Sequence, residues 1–434
     1  MTHLFSFPGK ALPAALRGGA LACGLLAAMT GNALAGGRAG ADAAAGNPSA
    51  GPAWKFSGFG TLGAVYASVR NADFSSTILR ANGAGRSEPW SPNVDSRLGA
   101  QLDLSQGRWS AVLQVVSEQN MEGNYRPRVE WANVKYQATP DLALRVGRIA
   151  LPVFLAADYR KVGYTMAWVR PPVEVYGGLP ISSSDGVDAT WRWGAGDTRH
   201  ATQAFFGRTD TRLFDDRRVE AHGIAGLSHS IEHGPLSARL SALTAHLTTG
   251  IGEEIFTALR AFGPQGVALA ERYAIEHKRV SMVSAGFSYD PGQWFLNAEA
   301  GHAQTHSLLG RTTTMYAGGG YRFASLTPYL GFAKVRAHGA TRDPGLPLAG
   351  LPARARATAS ALNAGLNTYL GTIPIQTTLS AGLRWDLARD AALKVQYDRL
   401  RPTDGSRGTL INTPSSFRSG ETVHVGSVAL DFVF

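Results

Sequence analysis

In the closing stretch ETVHVGSVALDFVF, Val428, Leu430, Phe432 and Phe434 fall at every second position, so all four share one face of a strand. The same two-residue code recurs from Trp54 onward. SRLGAQLDLS sets Leu98, Ala100, Leu102 and Leu104 against Arg97, Gln101 and Asp103. GRWSAVLQVVSEQ sets Trp109, Ala111, Leu113 and Val115 against Arg108, Ser110, Gln114 and Glu118. TTLSAGLRWDLA sets Leu379, Ala381, Leu383, Trp385 and Leu387 against Ser380, Arg384 and Asp386. Segments of about ten residues with one greasy and one wet face are what a membrane barrel demands, lipid outside and water within.

Punctuation supports that reading. SQGR, ATPD, GAGDT, EHGP, DPGQ and LARDA are tight reversals between alternating segments. Longer connections lie between them at 70–94, 119–126, 150–185, 210–217, 249–278, 337–374 and 402–420. Short turns at one end and long loops at the other are the asymmetry of outer-membrane barrels. Within the longest connection, Leu362, Leu366 and Leu370 recur every four residues, which predicts a helix over 358–370 instead of a strand. EEIFTALRAF at 253–262 predicts a second loop helix. The expectation is an all-β fold: a transmembrane antiparallel β-barrel of about 16 strands, its termini on the short-turn side, with Leu430, Phe432 and Phe434 toward lipid.

Composition narrows the alternatives. Charged residues are 17% and glycines number 51, while no run in the body of the chain supplies the roughly 18 apolar residues of a membrane helix. Residues 1–35 read as a signal peptide: Lys10 and Arg17, then GGALACGLLAAM, then Ala33-Leu34-Ala35 before the cleavage point. Residues 36–53 read as a flexible lead-in and 54–434 as the barrel. Cys23, the only cysteine, lies in the leader, and Ala20 departs from the leucine usual in a lipoprotein signal. The exported part therefore has no disulfide and depends on backbone pairing and burial. Losing Lys10 and Arg17 takes the formal charge from +10 to +8. No basic run with interleaved aromatics suggests nucleic acid, so the charge bears on which solutes are attracted.

DSRLGAQLDL, VEWANVKYQATPDLALRVGRIALPVF, WVRPPVEVYGG and the terminal phenylalanine resemble the Gram-negative bacterial outer-membrane porins, of the general diffusion type, over essentially the whole exported chain. The resemblance implies a water-filled channel for small hydrophilic solutes and ions, a homotrimer, contact with outer-membrane lipid and lipopolysaccharide, and no cofactor. It also makes Leu430, Phe432 and Phe434 an assembly signal. RVGRIALPVF further resembles the phosphate-selective porins, which is the second reading.

The long connection 150–185 is the candidate constriction. Pro152, Pro171-Pro172 and Gly177-Gly178 stiffen and bend it, and it carries Asp158, Arg160, Lys161, Arg170, Glu174 and Asp185. Alternation predicts water-facing wall residues Arg97, Arg108, Lys135, Arg145, Arg192, Arg384 and Lys394. Asp158, Glu174 or Asp185 facing Arg97, Arg145 or Arg192 would set up a field across the bore; the simpler role for any of these charges is to pair and anchor the loop.

Other signals are weaker. Gly58, Gly60 and Gly63 form G-x-G-x-x-G, but a strand continues where a dinucleotide site needs a helix, so close strand contact is the better reading. His302 and His306 are four apart at a strand end, where that spacing does not converge on a metal. His222, His229 and His233 lie near Ser228 and Ser230, yet no G-x-S-x-G accompanies them, which disfavours a barrel enzyme. A soluble secreted β binding protein would not need the regular alternation of turn lengths.

Overall fold

The computed structural model describes residues 51–178, 181–212, 217–414 and 416–434. The leader, its cleavage point and nearly all of the lead-in lie outside them. Sixteen strands cross the wall. They begin with β1 (Ala53–Ala67), β2 (Arg97–Gln106), β3 (Trp109–Glu118), β4 (Arg128–Gln137) and β5 (Leu142–Ala150). Next come β6 (Ser183–Ala195), β7 (Thr198–Arg212), β8 (Arg218–His233), β9 (Leu236–Thr249), β10 (Lys278–Tyr289) and β11 (Trp294–Thr305). The ring is completed by β12 (Arg311–Tyr321), β13 (Leu326–Ala337), β14 (Gln376–Ala388), β15 (Ala391–Pro402) and β16 (Val423–Val433). A two-residue piece, Trp90–Ser91, pairs on the upper end of β1 and is the sheet's seventeenth member.

Each strand pairs antiparallel with its neighbours in sequence, and β1 closes the ring by pairing with both β2 and β16. Closure runs to the final residue, where the Gly58 amide donates to the Phe434 carbonyl at 2.8 Å and the Phe434 amide donates back at 3.0 Å. The ring of Phe434 lies over Gly58 and that of Phe432 over Gly60, where β-carbons would collide with them. The glycine motif thus makes room for aromatic rings at the seam.

The greasy face points outward. Trp54 is 71% exposed, Leu330 68% and Leu240 62%. Their counterparts on the inner face are polar and covered: Ser241, Ser284, Glu299, Thr378, Asp398 and Asp431. At the tight-turn end the outer face carries Trp109 with Tyr136, Tyr289 with Trp294 and Tyr321 with Phe323 in ring contact, the aromatic belt of a membrane boundary. That end is periplasmic and the long-loop end extracellular. Two connections escape the sequence pattern: a turn through Phe323–Leu326 and a short extracellular link at 306–310.

Among the described residues the extracellular loops carry four α-helices. The four-residue leucine spacing forms α4 (Ala353–Leu370), and the second expected helix is α2 (Glu253–Arg260), followed by α3 (Pro264–Tyr273). Phe256, Leu259, Leu269, Leu366 and Leu370 join these three in an apolar cluster of their own. The first helix in chain order, α1 (Val173–Tyr176), belongs to the loop between β5 and β6.

The described parts of that loop, residues 151–178 and 181–182, turn into the barrel. Near the upper end of β5, Gly147 has φ +123°, and its β-carbon would strike the Ala132 carbonyl of β4. Just beyond it, Ile149, Leu151, Val153 and Phe154 pack with Phe205, Ile224, Met282 and Tyr316 on the inner wall. Replacing Gly147 with alanine combines strained backbone with a backbone collision. The expected cost is about 1–3 kcal/mol, read as a lower urea midpoint for loss of the heat-modifiable folded band.

Candidate functional site

The inward loop meets the wall on nearly every side. At its start, Ser241 Oγ on β9 donates to the Pro152 carbonyl at 2.7 Å, and Ser284 Oγ on β10 donates to that of Val153. Glu299 on β11 accepts from the Leu155 amide and, at 2.6 Å, from the Tyr176 hydroxyl. Midway, Lys161 Nζ lies 2.7 Å from Glu118 Oε1 and 2.8 Å from Glu130 Oε2. Arg80, reaching in from the first extracellular loop, holds the same Glu118 at 3.2 Å.

The loop's lower bend rests on β14–β16. Lys394 Nζ donates to the carbonyls of Gly163 (2.7 Å) and Trp168 (3.1 Å) and pairs with Asp431 at 2.7 Å, with both charged side chains fully buried. Arg384 donates to the carbonyls of Tyr164 (2.6 Å) and Met166 (2.9 Å) and stacks on the Tyr164 ring. Trp168 sets its edge against Phe295, Tyr316 and Tyr329.

Arg170 forms the tightest latch. Its guanidinium binds Asp95 through two nitrogens (2.9 and 2.6 Å), Asp398 at 3.1 Å and Ser427 Oγ at 2.6 Å, with Phe74 packed on its face. Two carboxylates from opposite sides of the barrel seam therefore converge on one cation. Beside it, Glu174 accepts from Gln376 at 2.6 Å and from Thr378. Its second oxygen, buried, has no partner among the described residues. Burial raises the Glu174 pKa above the ordinary carboxylate value, and the nearby Asp398 adds to the rise.

These contacts reverse the expected polarity. Loop cations Lys161 and Arg170 bind wall acids, whereas the pairing of loop acids with Arg97, Arg145 or Arg192 does not form. Asp158 reaches Arg239 on β9 instead, at 3.4 Å. Asp185 is not in the loop: β6 has begun at Ser183, and alternation puts Asp185 on the outer face with Val187, paired to Arg148 at 2.7 Å. Arg160 makes no ion pair among the described residues and lies in the field of Glu130 and Glu118. Arg97 faces inward, 3.9 Å from Glu118.

Among the expected wall residues, Arg384 and Lys394 lie under the loop and anchor it. Arg108 sits in the β2–β3 turn at the periplasmic rim and contacts the Ala138 carbonyl at 3.4 Å, because the chain has already reversed there and the two-residue code no longer applies. Lys135, Arg145 and Arg192 stay clear of the loop. Lys135 lies directly opposite Arg145 in the β4–β5 register, and Arg145 pairs with Asp188 of β6 at 2.7 Å. Arg192, two turns of the pleat further down β6, shares their inward face. They form a basic stripe along the lower lumen, partly offset by one acid.

Sequence reasoning missed the wall acids Asp95, Glu130, Glu299, Asp398 and Asp431. Asp398 could have been found by counting in twos from the inward Lys394, and Glu299 by its odd spacing of three from the outward Leu296. Asp95 precedes its strand and gives no periodic signal.

No family model and no curated protein matches the chain. Sixteen antiparallel strands closed around the inward loop between β5 and β6 define the class, a transmembrane antiparallel β-barrel. Among solved structures, OmpF of Salmonella typhi, solved with daunomycin, is similar at TM-score 0.54 and 11% identity, over 88% of this chain and 97% of that one. The outer membrane channel DcaP of Acinetobacter baumannii is similar at TM-score 0.52 and 12% identity, over 88% and 98%. OmpT of Vibrio cholerae, an outer membrane protein folded in vitro, follows at 0.51 and 10%, over 88% and 98%. The chain has the fold of the Gram-negative outer-membrane porins.

Replacing Arg170 with alanine leaves Asp95 and Asp398 buried without their cation. The loss expected of a broken buried pair is about 3–5 kcal/mol. Hydrogen exchange checks it: protection falls over residues 160–178 before the strands lose theirs.

Proposed function

We propose that the protein is an outer-membrane porin: a water-filled channel through which small hydrophilic solutes and ions diffuse passively. The observation that carries this reading is the closed barrel whose inward loop is fastened to the wall by buried ion pairs while Lys135, Arg145 and Arg192 stay open to the lumen. A wall of low dielectric focuses the field of those cations along the bore. Solutes pass beside the loop, selected by size and by the sign of their charge, with anions favoured. No cofactor, energy source or catalytic step enters the mechanism. The resemblance seen in the sequence further supports export by the leader, a homotrimer, and lipopolysaccharide as a neighbour.

A second reading, a phosphate- or anion-selective porin, is favoured by the stripe itself, three cations against the single bonded Asp188. The two differ in affinity. A general channel conducts phosphate without holding it, whereas a selective one is blocked by inorganic phosphate carried in chloride.

Planar-bilayer recording tests both. Purified protein should insert with stepwise conductance, and its reversal potential in a potassium chloride gradient should lie on the anion side. In the triple variant Lys135→Gln, Arg145→Gln, Arg192→Gln the potential should move toward the cation side with conductance retained. A folded protein that inserts silently overturns the channel reading, and an unchanged potential removes these residues from the selectivity mechanism.

A further inference from the structure

On the outer face of β6–β8, polar side chains interrupt the apolar band. Register sets Trp193 of β6 opposite His200 of β7, and Trp191 opposite Thr202. Across the next pairing, His229 of β8 lies opposite Thr202 and Ile231 opposite His200. Trp191 and Trp193 are exposed, as is Leu227 on the same face of β8, so His200, Thr202 and His229 point away from the lumen. The three are partly exposed. His200 stands two residues, about 7 Å, above the strand end at Thr198. That height is the periplasmic boundary marked by Trp193, where water has access.

His200 Nδ1 and His229 Nε2 face each other at 3.3 Å. That separation is long for a hydrogen bond. It matches the chord between two nitrogens held at about 2.0–2.1 Å on one tetrahedral ion, about 3.3–3.4 Å. Both rings are also held from behind. His229 Nδ1 lies 2.8 Å from Thr202 Oγ1. When that nitrogen carries the proton and donates to the hydroxyl, the lone pair is on Nε2, toward His200. An outer partner of this kind fixes the tautomer and orientation of a ligating imidazole. His200 lies flat on the Trp193 indole, with centroids 3.8 Å apart and planes 5° apart. Among the described residues no three histidine, cysteine or acidic side chains gather into a larger metal-holding group. The pair is thus a two-residue chelate whose remaining positions fall to water.

We propose that His200 and His229 form a binding site for a divalent transition-metal cation of the imidazole-preferring kind, such as zinc, copper(II) or nickel. The ion replaces the hydrogen between the rings. His200 Nδ1 and His229 Nε2 each give it a lone pair, and the ring protons sit on His200 Nε2 and His229 Nδ1. Each ring stays neutral with one N–H, so no proton is released from the pair. β7 and β8 are consecutive strands joined at the extracellular end, and the ion ties their lower ends together. Binding the folded wall and not the unfolded chain, it stabilises the barrel in proportion to its concentration. The site faces away from the lumen and is independent of conduction.

The test uses the full-length protein without an affinity tag, folded in detergent micelles and titrated with zinc in a calorimeter. The wild type should take up one ion per chain at this site, and His200→Ala or His229→Ala should abolish that uptake. Thr202→Val should weaken it about tenfold by freeing the His229 ring, whereas Thr202→Ser, which keeps the hydroxyl, should not. The other outward pair of imidazoles in ring contact, His302 and His338, serves as the control, and His302→Ala, His338→Ala should bind as the wild type does. Copper(II) in place of zinc gives a second readout: its electron paramagnetic resonance should show two nitrogen donors in the wild type and fewer in either single variant. Where a histidine variant fails to give a heat-modifiable barrel, the wild type is treated with diethyl pyrocarbonate, and zinc should protect His200 and His229 from modification. A wild type that takes up no zinc at millimolar concentration overturns the proposal. So does binding that survives the loss of both histidines, or binding lost only in the control variant. Equal modification of His200 and His229 with and without zinc overturns it as well.

Discussion

Hydrocarbon offers no hydrogen bonds, so each peptide group at membrane depth must find its partner within the protein. A sheet satisfies that demand only if it has no edge. Everything else in this barrel follows from the meeting of β1 with β16. Without that seam, the exposed Leu and Trp side chains of the outer face would have no medium to match, and the polar lining would have nothing to enclose. Gly58 and Gly60 serve this seam, letting the rings of Phe434 and Phe432 cover the backbone just where the last pairings form.

Once the wall is closed, its polar interior must itself be satisfied. The inward loop does this with a mixture of apolar packing near β7–β12 and charge pairing elsewhere. Lys394 with Asp431 and Arg170 with Asp95 and Asp398 are ion pairs withdrawn from water. Such pairs are a costly way to gain stability, but removing either partner alone is costlier still, and they fix position sharply. In this fold their effect is to define where the loop lies. These charges are consumed in setting the shape of the lumen, and the β4–β6 stripe is left facing it.

Much of the architecture was legible because a barrel strand has one simple code. SRLGAQLDLS and TTLSAGLRWDLA form strands on the faces expected, the leucines of 362–370 form a helix, and the connection after Val146-Gly147-Arg148 is the one that turns inward. Alternation tells which way a side chain points, yet says nothing of what it meets across a lumen. Lys394 and Arg384 point inward as expected, but the loop that covers them is folded from residues more than 200 positions earlier. Asp185 was misplaced by a boundary error of three residues, enough to move it from loop to strand and so from the inside to the outside. Asp95 and Arg80 lie in irregular chain, where no period exists to be read.

The many fastenings of the inward loop have a consequence for how such a passage could be regulated. Swinging the loop aside would require breaking its pairings with Glu118, Asp95, Asp398 and the Lys394 anchor together, a barrier far above thermal fluctuation. Under the proposed channel function, the aperture would then be a fixed gauge and not a valve: flux would track the concentration difference of the solute, and a cell admitting less would have to make fewer copies of the protein.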